Sequence, residues 1–577
     1  MTKSIRIDKD IPMQTRDGIT LRSDVYRPDD NGKYPAIVTR TPYSKDYSGN
    51  SDFLAAMDVA FAGYVMVVQD TRGRFTSEGS FTPGMPEGQD GYDAVEWAAS
   101  EPWCDGNVGM TGGSYLGRNQ WQAAMEVPPS LKAIAPQIAT AGVFSDTRLT
   151  GPVDFEQNLS WTATMMVDMI DKLEKEGKDV TEMRKSVMHA RFNMDEVFNH
   201  LPVKDIPHFQ YEGIAHAFQP DRLEAILSLF QKEEDLFWSY EKVQVPAFHA
   251  GGWYDIFSGS LFQAPQMMKE RGGTDIARDG QYIFCGPWSH GANLLAYVGG
   301  LHFGPVARGM AAFAKERHIA FFDKYLKGKE VTIPKVRYFV MGLNKWRNAE
   351  SWPLPQTDWQ RFYLHSRGQA NSADGNGSLS REEPGTENAD LYIYDPMNPV
   401  PYLGGRSLPT GTLVPGPFDQ TPIEKRSDVL CYTTSELMEA VEITGPIKLH
   451  LFASTTVVDT DFTAKLVDVH PNGAAYNLAE GCLRAKFRNS LLKPELLSPG
   501  EVVEYEIDMA VTSNLFKPGH RIRLDISSSN FPRIDRNMNT GNPFAEDSEG
   551  IPALQTIFHQ KDRASYIDLP VIPADKT

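Results

Sequence analysis

The chain has 577 residues, with 57 Lys and Arg against 75 Asp and Glu, a formal net charge of -18. This length exceeds what one hydrophobic core organises and predicts two or three domains, while the acidic balance excludes a phosphate-binding surface and makes nucleic acid an unexpected partner. Four scattered cysteines, Cys104, Cys285, Cys431 and Cys482, fit neither a zinc knuckle nor a redox pair, so no metal or cofactor is expected.

From the amino terminus, strand and helix patterns alternate. Leu21 to Arg27 and Ala36 to Arg40 read as strands, Ala55 to Ala62 as a helix, and Tyr64 to Gln69 as a buried strand. Gly91 to Ala99 reads as a helix, Asn107 to Thr111 as a strand and Tyr115 to Met125 as a helix. Apolar strands at Ala133 to Gln137, Val245 to His249 and Tyr282 to Cys285 continue the rhythm and call for one parallel sheet. The interruption at 142–240 carries helical patterns at Met165 to Lys175, Val180 to His189 and Arg222 to Gln231, and predicts a helical cap over the strands' C-terminal ends. After a helix at Met310 to Leu326, short alternating segments recur between turns. They are Val336 to Met341, Arg361 to His365, Lys448 to Ala453, Phe462 to His470, Val502 to Met509 and Ile522 to Ser527. They predict a jelly-roll β-sandwich. The expected division is a sheet domain of residues 1–141 and 241–330, a cap of 142–240 and a jelly-roll domain of 331–577, whose edge strands are compatible with a homo-oligomer. Residues 1–10 hold no apolar leader and no apolar run is long enough to span a bilayer, so a cytoplasmic location without membrane attachment is expected.

Gly112-Gly113-Ser114-Tyr115-Leu116-Gly117 lies where a strand gives way to a helix. Glycines at the -2 and +3 positions let strand and helix approach without Cβ clashes, and the helix N-terminus favours an oxyanion, so Ser114 is a candidate nucleophile. A serine hydroxyl needs a base near neutrality, and a parallel-sheet hydrolase supplies its partners in the order nucleophile, acid, histidine. Asp255, in Gly251-Gly252-Trp253-Tyr254-Asp255, and His290, in Gly286-Pro287-Trp288-Ser289-His290, each follow an apolar strand and meet that order. His249 and His302 are the competing bases, and neither pairs so well with a preceding strand-end acid. One oxyanion donor is expected from the Tyr115 N–H. The loop Thr39 to Tyr43 has no His-Gly-Gly run for the second, leaving Tyr43 as either a hydroxyl donor or a packed aromatic.

With these motifs, and with Arg40-Thr41-Pro42-Tyr43, Asp70-Thr71-Arg72-Gly73, Asp90-Gly91-Tyr92-Asp93, Asn398-Pro399-Val400-Pro401 and Asp461-Phe462-Thr463-Ala464-Lys465-Leu466, the chain resembles the cocaine esterase and X-Pro dipeptidyl peptidase group of α/β-hydrolases. The resemblance implies an α/β-hydrolase core, a helical cap and a C-terminal all-β jelly roll, with Ser114, Asp255 and His290 as a triad and Tyr43 beside Tyr115 in the oxyanion hole. It also places Phe257 and Trp161 at aromatic acyl-pocket positions. The expected activity is hydrolysis of small carboxylic esters through an acyl-enzyme. The alternatives are an X-Pro dipeptidyl peptidase or a cephalosporin or glutaryl acylase acting on amides, and, from another class, a noncatalytic binding protein. Arg118, Ile256 and Phe257 stand where the related amino acid ester hydrolases place acids. With Leu116 they lead to the expectation of an apolar pocket for uncharged acyl groups.

Overall fold

Ten strands form one mixed sheet in the computed structural model, which describes residues 4–48, 53–211, 227, 229–291 and 293–573. They are β1 (Ile5–Gln14), β2 (Thr20–Pro28), β3 (Tyr34–Thr41), β4 (Val65–Asp70), β5 (Cys104–Gly113), β6 (Leu131–Gln137), β7 (Ala247–Tyr254), β8 (Gln281–Ser289), β9 (Val336–Val340) and β10 (Lys345–Ala349). Their spatial order is β1-β2-β4-β3-β5-β6-β7-β8-β9-β10. Pairings from β4 to β9 are parallel, and β1, β2 and β10 add antiparallel edges. Strands β4 and β7 are buried at every position, which is why they read as continuous apolar runs. Val65 and Val67 pack with Ala94, Trp121 and Ala124 on one face, while Met66 and Val68 pack with Val59, Phe321 and Phe322 on the other. Strand order reverses around β3, with β4 on one side and β5 on the other. The crevice outside the carboxyl ends at such a reversal is where doubly wound sheets bind ligands.

Between β6 and β7 the chain inserts helices Phe155–Lys175, Thr181–Phe192 and Met194–Asn199. Their apolar faces, including Phe155, Leu159, Met166, Val187 and Phe198, form a cluster of their own that also takes in Phe531. Of the expected helix Arg222 to Gln231, residues 222–226 and 228 lie outside the described residues. No described helix is long and apolar enough to cross a membrane.

The C-terminal part is all-β: twelve strands, from Asp358–His365 to Tyr566–Ile572, join in one hydrogen-bonded network. Its backbone is the long antiparallel pair Val441–Thr455 and Val503–Phe516. Two expectations change. The strand at Val336 does not belong to this part; it returns from helix Ala314–Leu326 and pairs parallel to β8 through Val336, Arg337 and Tyr338. The helix itself begins at Ala314 rather than Met310, because Phe313 takes a left-handed conformation with φ 58. The apolar interior is shared across the two parts, with Trp253, Tyr254 and Phe262 in one cluster with Leu449, Phe462 and Ile507.

Candidate active site

Ser114 sits at the turn between β5 and helix Tyr115–Met125 with φ 59 and ψ -121, a conformation disfavoured for any residue with a Cβ. Its surroundings hold it there. The Ser114 N–H donates to the carbonyls of Gln137 and Ile138 at 2.9 and 3.1 Å. At Gly112, φ +130, a Cβ would lie 2.6 Å from the Leu116 Cβ and 2.8 Å from the Thr39 Oγ1, and at Gly117 it would lie 2.7 Å from the Ala139 Cβ. Both glycines flanking the serine are therefore required by close approach, as their spacing predicts.

Asp255 follows β7 and His290 follows β8, so two neighbouring strand ends bring them together. His290 Nδ1 is 2.9 Å from Asp255 Oδ2, and the other carboxylate oxygen accepts the Phe257 N–H at 2.7 Å. Asp255 is only 1% exposed, so bulk solvent has little access to its carboxylate. This fixes the imidazole with Nδ1 toward the acid and leaves Nε2 for another partner. Ser114 and His290 line one cavity of about 820 Å³, together with Tyr43, Tyr115, Trp161 and Phe257. Ser114, His290, Tyr43, Tyr115, Trp161 and Phe257 thus meet on one cavity wall, with Asp255 behind His290.

The aromatic residues interlock. Trp161, from the cap, donates its indole N–H to the Tyr43 hydroxyl at 3.0 Å and stacks on Tyr115 with ring centroids 6.3 Å apart. Because the phenol oxygen accepts from the indole, its own proton is free to be donated. Burial raises the Tyr43 pKa, outweighing the hydrogen bonds from Trp161 and Ser114, so the phenol stays neutral. The Tyr115 ring is fixed by its own hydroxyl, which donates to Glu87 Oε1 and accepts from the Gly84 N–H, both at 2.9 Å. Phe257 packs edge-on to His290 with centroids 5.6 Å apart.

Supporting groups lie just outside. Asp70 accepts the Lys45 N–H at 2.7 Å and pairs with the Lys45 ammonium at 3.6 Å, a strand-end ion pair that holds the loop after β3. Arg74 was not singled out in the sequence, yet it binds the carbonyls of Pro42 and Met165 at 2.9 Å each and joins the Tyr43 loop to the cap. Also unforeseen are Leu408, Pro409 and Thr410, which the all-β part contributes to the cavity wall. Of the residues expected to make an apolar pocket, Phe257 lines the cavity. Leu116 is packed against Gly112, and Ile256, 1% exposed, also lies off the wall. Arg118 instead lines it.

The competing histidines are elsewhere. His249 is buried in β7, bonds Gln281 Oε1 at 2.7 Å, and is held neutral by burial, which takes its pKa down to about 4. His302 is exposed and packs on Tyr297. Among the described residues, the group with ligand-like spacing for a metal is Asp468, His470 and His520 in the all-β part. Asp468 is already engaged there by His520 Nδ1 at 2.7 Å and the Asn514 amide at 3.2 Å.

Residues 17–292 match the family model described as X-Pro dipeptidyl-peptidase (S15 family), and residues 330–568 match the X-Pro dipeptidyl-peptidase C-terminal non-catalytic domain. The chain is 39% identical to the cocaine esterase of Rhodococcus sp. (strain MB1 Bresler), over 97% of each chain. The protein belongs to the cocaine esterase and X-Pro dipeptidyl-peptidase family. As a member it is a serine hydrolase with an α/β-hydrolase core and a separate C-terminal all-β domain. The family fold is also seen in the solved structures of an aminopeptidase from a marine sediment Thaumarchaeota archaeon (TM-score 0.76, 23% identity) and an α-amino acid ester hydrolase (TM-score 0.75, 22% identity). Each covers 99% of this chain, which in turn covers 97% of each of them.

Proposed function

We propose that the protein hydrolyses carboxylic esters of small molecules through an acyl-enzyme on Ser114. The observation that carries this reading is the 2.9 Å contact between His290 Nδ1 and Asp255 Oδ2 at the cavity that Ser114 also lines. In this mechanism the Ser114 Oγ attacks the ester carbonyl while His290 Nε2 takes its proton, and Asp255 stabilises the imidazolium. The carbonyl oxygen, now an anion, is received by the Tyr115 N–H and the Tyr43 hydroxyl. His290 then gives its proton to the departing alkoxide, releasing the alcohol. Water, deprotonated by His290, attacks the acyl carbon and returns Ser114 to its starting state.

Peptide cleavage at a free amino terminus would use the same triad, but recognition of an ammonium group calls for an unengaged carboxylate. The carboxylate on the described cavity wall, Asp154, is bound to Arg533, while Arg118 and Arg148 also line the wall. Likeness to the Rhodococcus cocaine esterase further supports the ester reading. The reading includes a small-molecule partner rather than nucleic acid or membrane, and a cytoplasmic setting, which suits four cysteines that are all free thiols. Comparing kcat/KM for phenyl acetate and p-nitrophenyl acyl esters with that for Ala-Pro-p-nitroanilide tests it. The esters are expected to be cleaved at least about 10²-fold better, a difference of some 2.7 kcal/mol in barrier; preference for the anilide would overturn the reading.

A further inference from the structure

Arg118 lies one helical turn beyond Ser114, its N–H donating to the Ser114 carbonyl at 2.9 Å. Positions four apart share a helix face, and the Arg118 side chain lines the same cavity as the serine. The guanidinium is 5.7 Å from the Trp238 ring centroid and covers Gly84, where a Cβ would come within 2.9 Å of its Nη2. A larger residue at 84 would displace it.

Among the described residues Arg118 has no hydrogen-bond acceptor and no ion-pair partner, and its Nε is enclosed with nothing to receive the proton. Among interior arginines Arg40 is paired with Glu87, Arg484 with Asp461 and Arg533 with Asp154, whereas Arg148, on the same wall, bonds only the Gly151 carbonyl among the described residues and its Nε, like that of Arg118, has no acceptor. Glu87 approaches Arg118, but its two oxygens are taken by Arg40 and the Tyr115 hydroxyl. The cavity wall therefore carries Arg118, Arg148 and Arg191 against one aspartate, Asp154, already bound to Arg533. This cationic wall stands out in a chain whose formal net charge is -18.

A half-buried guanidinium with donors free of protein acceptors is a fork shaped for a carboxylate. We propose that the substrate carries a carboxylate that pairs with Arg118, making the enzyme selective for monoanionic esters. The proposal deepens the ester reading above and rests on Ser114 being the nucleophile. It replaces the expected pocket for uncharged groups with a cavity that is apolar at Phe257 and cationic at Arg118.

Two matched pairs test it: ethyl hydrogen adipate against its terminal carboxamide, with the charge on the acyl side, and 4-acetoxybutanoate against its carboxamide, with the charge on the alcohol side. In at least one pair the wild-type kcat/KM should favour the carboxylate by about 10- to 100-fold, as a charge-assisted hydrogen bond would give. That pair tells which side of the ester Arg118 reads. In Arg118→Gln the ratio should collapse to about one, and Arg118→Lys should retain part of it, with folding checked by fluorophosphonate labelling of Ser114. Ratios near one in the wild type, or a preference unchanged in labelled Arg118→Gln, would overturn the proposal. Adipate dianion alone separates the two readings. If no ester, charged or neutral, is hydrolysed but adipate raises the Tm of the wild type and not of Arg118→Gln, the ester reading fails and the anion site stands. If adipate stabilises neither and no pair shows discrimination, the anion site fails.

Discussion

Tyr43 accepts a hydrogen bond from Trp161, 118 positions away, and in the proposed mechanism its own proton goes to the reacting oxygen. Tyr43→Phe is expected to lower kcat by about 10² to 10³, and Trp161→Phe, which keeps an aromatic ring but frees the phenol to rotate, by about tenfold. In both variants steady-state kinetics should show the loss in kcat more than in KM. An unchanged kcat in Tyr43→Phe would return that residue to a packing role. At this scale Ser114, Asp255 and His290 were legible because each directly follows a strand, and strand ends are local features of sequence. The Trp161 indole was legible only as an aromatic in the right region, since its partner is set by how the cap folds back over the sheet. Arg118 was visible as a basic residue after the serine, but its want of a partner is a property of the packed cavity, not of neighbours in sequence.

The turn between β5 and its helix depends on what surrounds it. Gly112 is wedged between Thr39 of β3 and Leu116 of the helix, so Gly112→Ala must push these elements apart while forcing an alanine to φ +130. A loss of about 1–3 kcal/mol is expected from the overpacking alone, measured as a lower urea midpoint with an unchanged slope, and Ser114 labelling should fall with it. A stable, fully labelled Gly112→Ala protein would contradict this account of the turn. Helices and buried strands of the sheet were readable from period and apolar runs, with boundaries a few residues short. The strand at Val336 was assigned to the wrong sheet because five alternating residues look alike in either setting; pairing with Ile283, Phe284 and Cys285 decides it.

Across the whole molecule, the sheet domain and the all-β domain are bound by a shared core and by contacts such as the Tyr254 hydroxyl to the Asn477 carbonyl at 3.1 Å, and the inserted segment is tied to the all-β domain by the Val153 N–H to Asp535 at 2.7 Å. The all-β domain also closes the cavity with Leu408, Pro409 and Thr410, a long-range role that no local pattern announces. Its interior holds a carboxylate under tension: burial, reinforced by nearby Asp525 and opposed by Arg523, pushes the Glu424 carboxyl up to about 8. An unfolded glutamate titrates near about 4.3. The folded state therefore binds the extra proton between these values, so this contribution to stability is full below about pH 4.3 and is lost as pH rises through about 8. The Tm of Glu424→Gln should accordingly fall less steeply than that of the wild type between pH 5 and 8; parallel curves would show that Glu424 does not carry the slope. The claim on which the account turns is that Ser114 is the nucleophile, and intact-protein mass spectrometry with peptide mapping after fluorophosphonate treatment tests it most directly. One adduct on Ser114 in the wild type and none in Ser114→Ala is the predicted result; equal labelling of Ser114→Ala, or an adduct on another residue of the wild type with Ser114 unmodified, would contradict it.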